Sequence, residues 1–250
     1  MNHEITLAPT NWTPEERDRF SAFMKRARIA ESSLVPWGSN YTFAVVLEDP
    51  REEYTNTIAI YKPRAGEAPL WDFPEGTLYQ REYAAYLVSQ ALGWEFIPPT
   101  VIRDGPHGIG TVQVYVEPDQ DVHYFRFRAD YPSELRRMAL FDLITNNADR
   151  KAGHCFIGEI DRQVWGIDHG LTFNVQPKLR TVIWDYCGEP IDDELLLALI
   201  EISSDKDLAA RLRPLLDPLE IRAFQARAER LVDVGHFPDL NPRRNVPYGW

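Results

Sequence analysis

Residues 146–170, NNADRKAGHCFIGEIDRQVWGIDHG, constrain the fold of this chain most. Two apolar runs, HCFIGEI and QVWGID, flank the turn-like pair Asp161-Arg162 and read as two short paired strands. Such a hairpin returns the chain to its starting point. The two carboxylates at its ends, Asp149 and Asp168, are therefore expected to point into one cleft. The preceding stretch, YPSELRRMALFDLITNNADR, reads as a helix that Ser133 caps. Its apolar residues Leu135, Met138, Leu140, Phe141, Leu143 and Ile144 spread widely around the axis, as in a mostly buried helix.

The other elements fall on either side of this segment. A helix is expected over 14–30, with Thr13 as cap and Pro14 in its first turn. Two apolar runs surround the turn-like PWGSN, and TNTIAIYKP reads as a strand with Ile58, Ile60 and Lys62 on one face. WDFPEGT is a loop. In LYQREYAAYLVSQALG, Ala84, Leu87, Val88, Ala91 and Leu92 recur at helical spacing before Gly93. FIPPTVIRDG and GIGTVQVYVEP read as two further strands. After residue 190 the pattern is helical, ending in a Pro-rich surface tail. This order predicts an α+β fold of two lobes, residues 1–116 strand-rich and 117–250 helical, hinged near 113–119.

Composition narrows the partners. The net charge is −11 and the pI about 5.0, against the basic face that nucleic-acid binding needs. No apolar run approaches the ~18 residues of a membrane span, so no integral membrane association is expected. The N-terminus lacks a secretory pattern, and Cys155 and Cys187 read as reduced thiols. A cytoplasmic protein is expected.

Four residues carry candidate chemistry, each with a plainer alternative. Lys62, at a strand end, suits a phosphate contact, or is a surface lysine. Glu82, near a helix start, suits orienting that lysine, or simply favours the helix dipole. Asp149 suits accepting a hydroxyl proton, with Arg150 and Lys151 holding it ionised and steadying a transferring phosphoryl group. The alternative is a loop of solvated charges. Asp168, ending an apolar strand, suits a magnesium ligand, or is a turn aspartate. Their order along the chain is that of a two-lobed phosphotransferase.

These motifs resemble the phosphatidylinositol 3- and 4-kinase-like branch of the kinase fold, type II phosphatidylinositol 4-kinases most of all. The correspondence runs through YKPR at Lys62, REYAAYLVSQALG at Glu82, FIPPTVI, DRKAGH at Asp149 and IDHG at Asp168, spanning residues 33–175. The chain is also similar to a small set of actinobacterial kinase-like proteins. The resemblance implies ATP with Mg2+ or Mn2+ and a hydroxyl acceptor on a lipid, small molecule or protein. It places Ser39 and Asn40 over the phosphates, Ile60 over the adenine, and the backbone of Gln113, Val114, Tyr115 and Val116 at the adenine edge. Lys62 and Glu82 then position phosphates, and Asp149 orients the acceptor. The family's metal-binding loop asparagine is His154 here, which either joins Asp168 in holding a metal, manganese suiting it better than magnesium, or only hydrogen-bonds a phosphate. Asn146 or Asn147 is the alternative source of an amide oxygen. A nucleotide-binding regulator without turnover and an AMP transferase are the competing readings. A metal hydrolase lacks the required histidine spacing.

Overall fold

Burial with a period of two along residues 57–63 sets the first half of the architecture. In the computed structural model of the chain, which describes residues 13–36 and 40–248, the fold divides into two compact units. One holds the described residues up to Tyr83 together with Pro98–Glu117, and the other Ala84–Ile97 and the chain from Pro118 onward.

The first unit is built on a five-stranded antiparallel sheet. Its strands are β1 (Arg28–Leu34), β2 (Phe43–Glu48), β3 (Thr57–Pro63), β4 (Thr100–Gly105) and β5 (Gly108–Val114), in the order β1-β2-β3-β5-β4. Helix α1 (Pro14–Arg26) opens on a capping box between Thr13 and Glu16. The expected helix to residue 30 stops at Arg26. Ala27 turns extended, and residues 28–34 pair with β2 instead, so ladder hydrogen bonds override helix propensity there. Arg103 ends the helix by donating Nη1 to the carbonyls of Met24 (2.7 Å) and Ala27 (2.6 Å). Phe20, Phe23 and Met24 form the core with Leu47, Ala59 and Tyr61.

Strand β3 turns Ala59 and Tyr61 into that core and leaves Ile58, Ile60 and Lys62 on the other face, as its alternation predicts. Opposite its end lies Gly110, where a Cβ would come within 2.3 Å of the Lys62 carbonyl oxygen. Only glycine permits that approach of the two strands. Helix α2 (Leu78–Ala91) is held at its start by Glu67, which accepts from the amides of Leu78 (3.1 Å) and Tyr79 (2.8 Å). A carboxylate there also meets the positive end of the helix dipole.

The second unit holds the expected hairpin. β7 (Cys155–Gly158) pairs antiparallel with β8 (Val164–Gly166) in the register Cys155↔Gly166, and β6 (Pro118–His123) extends the sheet. After the short α3 (Tyr124–Phe127), helix α4 (Pro132–Thr145) starts at its proline with Tyr131 as N-cap. Ser133 therefore lies inside the first turn and is not the cap. Helices α5 (Asp193–Ser204) and α7 (Pro218–Val234) pack together, α6 (Lys206–Leu212) lies between them in sequence, and α4 packs on α7. The C-terminal tail is anchored: Thr181 N–H donates to the Asn245 carbonyl (3.0 Å), and Asn245 Nδ2 to that of Leu179 (2.7 Å). Both cysteines are free, and burial pushes the Cys155 thiol up to about 12. Among the described residues no helix is long and apolar enough to cross a membrane.

Candidate active site

In the first unit, Lys62 Nζ lies 3.3 Å from Glu82 Oε2. The carboxylate side chain is only 4% exposed, and its other oxygen has no hydrogen-bond partner among the described residues. Burying a carboxylate this deeply is costly unless a cation faces it, so the pair fixes both side chains. Strand alternation sends Lys62 to this face, and the Glu67 clamp on α2 sets the position of Glu82.

The remaining expected contacts of this unit fare differently. Ser39 lies outside the described residues. Asn40 Oδ1 accepts from the Ala68 amide (2.8 Å), which ties it to the segment after β3. Ile60 shares the Lys62 face. Gln113 is buried and donates to Thr100 Oγ1 (2.9 Å), a core contact. The amides of Val114 and Tyr115 are bound to the carbonyls of Pro99 (2.9 Å) and Ile58 (3.1 Å), so neither is a donor for an adenine edge. Val116 follows the end of β5.

In the second unit the hairpin brings its two ends together through His154. The Asp149 carbonyl accepts from His154 Nδ1 (2.7 Å), and His154 Nε2 lies 3.3 Å from Asp168 Oδ2. The Ile167 amide closes the base on the His154 carbonyl (3.1 Å). Because a carbonyl only accepts, Nδ1 carries the proton and fixes the tautomer. Burial holds the imidazole below its usual pKa, against the pull of Asp168. The neutral ring then turns a lone pair toward a carboxylate oxygen. Two electron-rich atoms so placed fit a divalent cation. Among the described residues no third His, Cys, Asp or Glu completes a metal cluster, so phosphate and water oxygens would supply the rest. Asp168 itself sits at φ +59°, a left-handed conformation that aspartate tolerates better than most residues.

Lys151 Nζ lies 2.9 Å from Asp149 Oδ2. Arg150 does not reach outward. Its guanidinium is wholly buried and forks onto Asp142, with Nη2–Oδ1 at 2.9 Å and Nε–Oδ2 at 3.0 Å. Nη1 donates to the carbonyls of His154 and Ile167, both 3.3 Å, and Nη2 to His169 Nε2 at 2.7 Å. Burial alone would push its pKa down; the Asp142 carboxylate more than offsets this and holds it above its usual value. A side chain with these donors occupied cannot touch a transferring phosphoryl group. Arg150 is a positioning residue that fastens the residues on either side of Asp149 and Asp168. Asn146 and Asn147 are likewise used internally. Their amide oxygens accept from the amides of Lys178 (2.8 Å) and Asp149 (3.0 Å), so neither is offered to a metal.

Sequence reasoning missed Asp142, His169 and Thr181, which complete this buried network. The signal for Asp142 was available: it is a lone carboxylate within the apolar run MALFDLI.

No protein-family profile matches the chain. It is 42% identical to "Protein Rv2133c" of Mycobacterium tuberculosis over 226 residues, 76% of this chain and 81% of that protein. It is 28% identical over 156 residues to "Phosphatidylinositol 4-kinase gamma 4" of rice, covering 54% of this chain and only 27% of that protein. Among solved structures it resembles the Golgi casein kinase (TM-score 0.57, 15% identity, 89% of this chain and 76% of that one). Hydra Fam20 has the same TM-score of 0.57 at 15% identity, over 90% of this chain and 89% of its own. The Helicobacter pylori kinase CtkA follows at 0.52 and 13% identity, over 85% and 96%. The fold is kinase-like.

Proposed function

The chain belongs to the family of the Mycobacterium tuberculosis protein Rv2133c, and for this branch of the kinase-like fold we propose an ATP- and metal-dependent phosphotransferase activity. The observation that carries the reading is the base of the hairpin, where His154 touches Asp149 and faces Asp168, with Lys151 alongside. Residues 1–116 supply the phosphate grip, through Lys62 held by Glu82, and residues 117–250 supply acceptor activation and metal binding. The motif order around Lys62, Asp149 and Asp168, together with the partial match to the rice protein, supports placement near the phosphatidylinositol 3-/4-kinase-like branch.

The chemistry divides among these residues. A divalent metal, when bound, draws charge off the phosphate oxygens of ATP. His154 Nε2 and Asp168 would hold it. Lys62 fixes the non-transferred phosphates as a point charge. Asp149 accepts the hydroxyl proton as the acceptor oxygen bonds to the γ-phosphorus. The bond from that phosphorus to the β–γ bridging oxygen breaks, and ADP leaves. Lys151 faces the charge that gathers on the equatorial oxygens.

The test is ATP labelled on either the α- or the γ-phosphate, supplied with Mg2+ or Mn2+ and a panel of hydroxyl acceptors. Transfer of the γ-label alone is the expected result, and Lys62→Met should reduce it by at least about a hundredfold. Transfer of the α-label would replace this reading with AMP transfer. Stabilisation by ATP with no label transferred would replace it with a nucleotide-binding regulator.

Metal choice gives a separate prediction. His154→Ala should weaken Mn2+ binding, read from the free-ion paramagnetic resonance signal with a non-hydrolysable ATP analogue present, by at least about tenfold. His154→Asn should shift the preference toward Mg2+. Unchanged Mn2+ affinity in both variants would remove His154 from the ligand set.

A further inference from the structure

Resting on the phosphotransfer reading, we propose that Asn245 is a positioning residue of the transfer site: it holds the outer edge of residues 179–182, and that strip in turn sets the loop that carries Asp149. The strip uses its two edges separately. On the inner edge the Arg180 amide donates to the Asn147 carbonyl (2.9 Å). The Arg150 amide donates to the Arg180 carbonyl, and the Val182 amide to that of Arg150, both at 3.0 Å. The last two bonds form an isolated parallel bridge between Arg150 and Thr181. Together the three grip the backbone on both sides of Asp149. In extended chain the backbone groups of successive residues point to alternate edges. The Leu179 carbonyl and both backbone groups of Thr181 therefore face away from the loop. The Thr181 carbonyl accepts from Trp184 Nε1 (2.6 Å). The other two groups meet a single residue. Thr181 N–H donates to the Asn245 carbonyl (3.0 Å), and Asn245 Nδ2 donates to the Leu179 carbonyl (2.7 Å).

Asn245 is itself fixed by the turn that carries it. Its amide donates to the Asn241 carbonyl (2.9 Å), and its Oδ1 accepts from the Asn241 amide (2.8 Å). All four of its hydrogen-bonding groups are thus engaged, two with the turn and two with the strip, so its part is positional. The strip needs such a support. An isolated bridge has no neighbouring ladder bonds to share its opening, so its persistence depends on what holds the far edge. Thr181 is buried, and its N–H would otherwise be left unmatched. The same residue donates Oγ1 to Asp142 Oδ2 (3.3 Å), and Asp142 pairs with Arg150, whose Nη1 reaches the carbonyls of His154 and Ile167. Asn245 therefore stands at the outer end of a hydrogen-bonded chain that runs to both ends of the hairpin.

Asn245→Asp is the discriminating variant. Its carboxylate keeps an acceptor for the Asn241 amide but turns a second oxygen toward the Leu179 carbonyl, which removes a donor and adds repulsion. Asn245→Ala loses both side-chain bonds without that repulsion. The proposed role makes Asp the more damaging of the two, whereas a residue that served only its own turn would tolerate Asp and suffer from Ala. With the whole chain and γ-labelled ATP, Asn245→Asp should lower kcat by about 10–100-fold and leave the KM for ATP unchanged. Arg244→Ala, in the same turn with an exposed side chain, should leave transfer unchanged. Residue-resolved amide hydrogen exchange reads the strip without ATP or acceptor. The amides of Arg150, Thr181 and Val182 should exchange about tenfold faster in Asn245→Asp, and those of α7 at the parent rate. If Asn245→Asp does not fold, the milder Asn245→Ala carries the test, with a smaller loss of kcat and faster exchange at the same three amides. Transfer at the parent rate in both variants, greater damage from Ala than from Asp, or faster exchange spread over α7 as well overturns the proposal. Absence of label transfer by the parent protein, with the exchange change confined to the strip and the loop, overturns the phosphotransfer reading and leaves the support by Asn245 standing.

Discussion

Asp149→Asn is expected to lower transfer of the γ-phosphoryl group by about 10²–10⁴-fold while ATP still raises the melting temperature as it does in the parent protein. The substitution keeps the shape of the side chain and the backbone contacts of the loop. The Asp149 amide still donates to Asn147 Oδ1 (3.0 Å), and the Asp149 carbonyl still accepts from His154 (2.7 Å). What disappears is the charge that accepts the acceptor's proton and its ion pair with Lys151. The measurement is label transfer beside a thermal melt with and without ATP and Mn2+. Retained transfer at the parent rate would mean that the hydroxyl proton goes elsewhere, and Asp149 would lose its place in the mechanism.

The second large effect concerns a residue that no substrate touches. Asp142→Leu should destabilise the protein by about 3–5 kcal/mol, because it leaves the Arg150 guanidinium buried without its counter-charge. For a chain of this size that corresponds to a fall in melting temperature of about 6–20 °C. The double variant Asp142→Leu/Arg150→Met removes both charges and should recover most of that stability. It should not recover label transfer. The carbonyls of His154 and Ile167 lose their shared donor, so the two ends of the hairpin are no longer held in register. A double variant that regains both stability and transfer would reduce the buried pair to packing, with no part in positioning Asp149 and Asp168.

These two expectations differ in how much of each was readable beforehand. Asp149 and Asp168 announce themselves by flanking a hairpin whose strands follow from local pattern alone. Lys62 follows from strand alternation, and Glu82 from its place one turn into a strongly patterned helix. Arg150 illustrates the opposite case. Beside Asp149 in sequence it reads as a second cation for the phosphoryl group. Its direction depends on Asp142 in the preceding helix and on Thr181 beyond the hairpin, and no local pattern reports either. The amide oxygens of Asn146 and Asn147 are taken by backbone amides for the same reason. A polar side chain that suits a ligand suits a backbone amide equally well, and which one it meets is decided by distant segments. The end of α1 at Arg26 is a further instance, since residues 28–34 become a strand only because β2 offers them an edge.

Local periodicity and chain order by themselves determined the α+β composition, most of the helices, the hairpin and the candidacy of Asp149 and Asp168, while His154 entered through the family resemblance. Those properties depend on near neighbours in sequence and on the covalent shape of each residue. Tertiary structure alone decided the His154 tautomer and the inward turn of Arg150. Each of these is set by which buried charge or carbonyl lies within about 3 Å, and the cost of leaving a buried polar group unmatched selects that partner from anywhere in the chain.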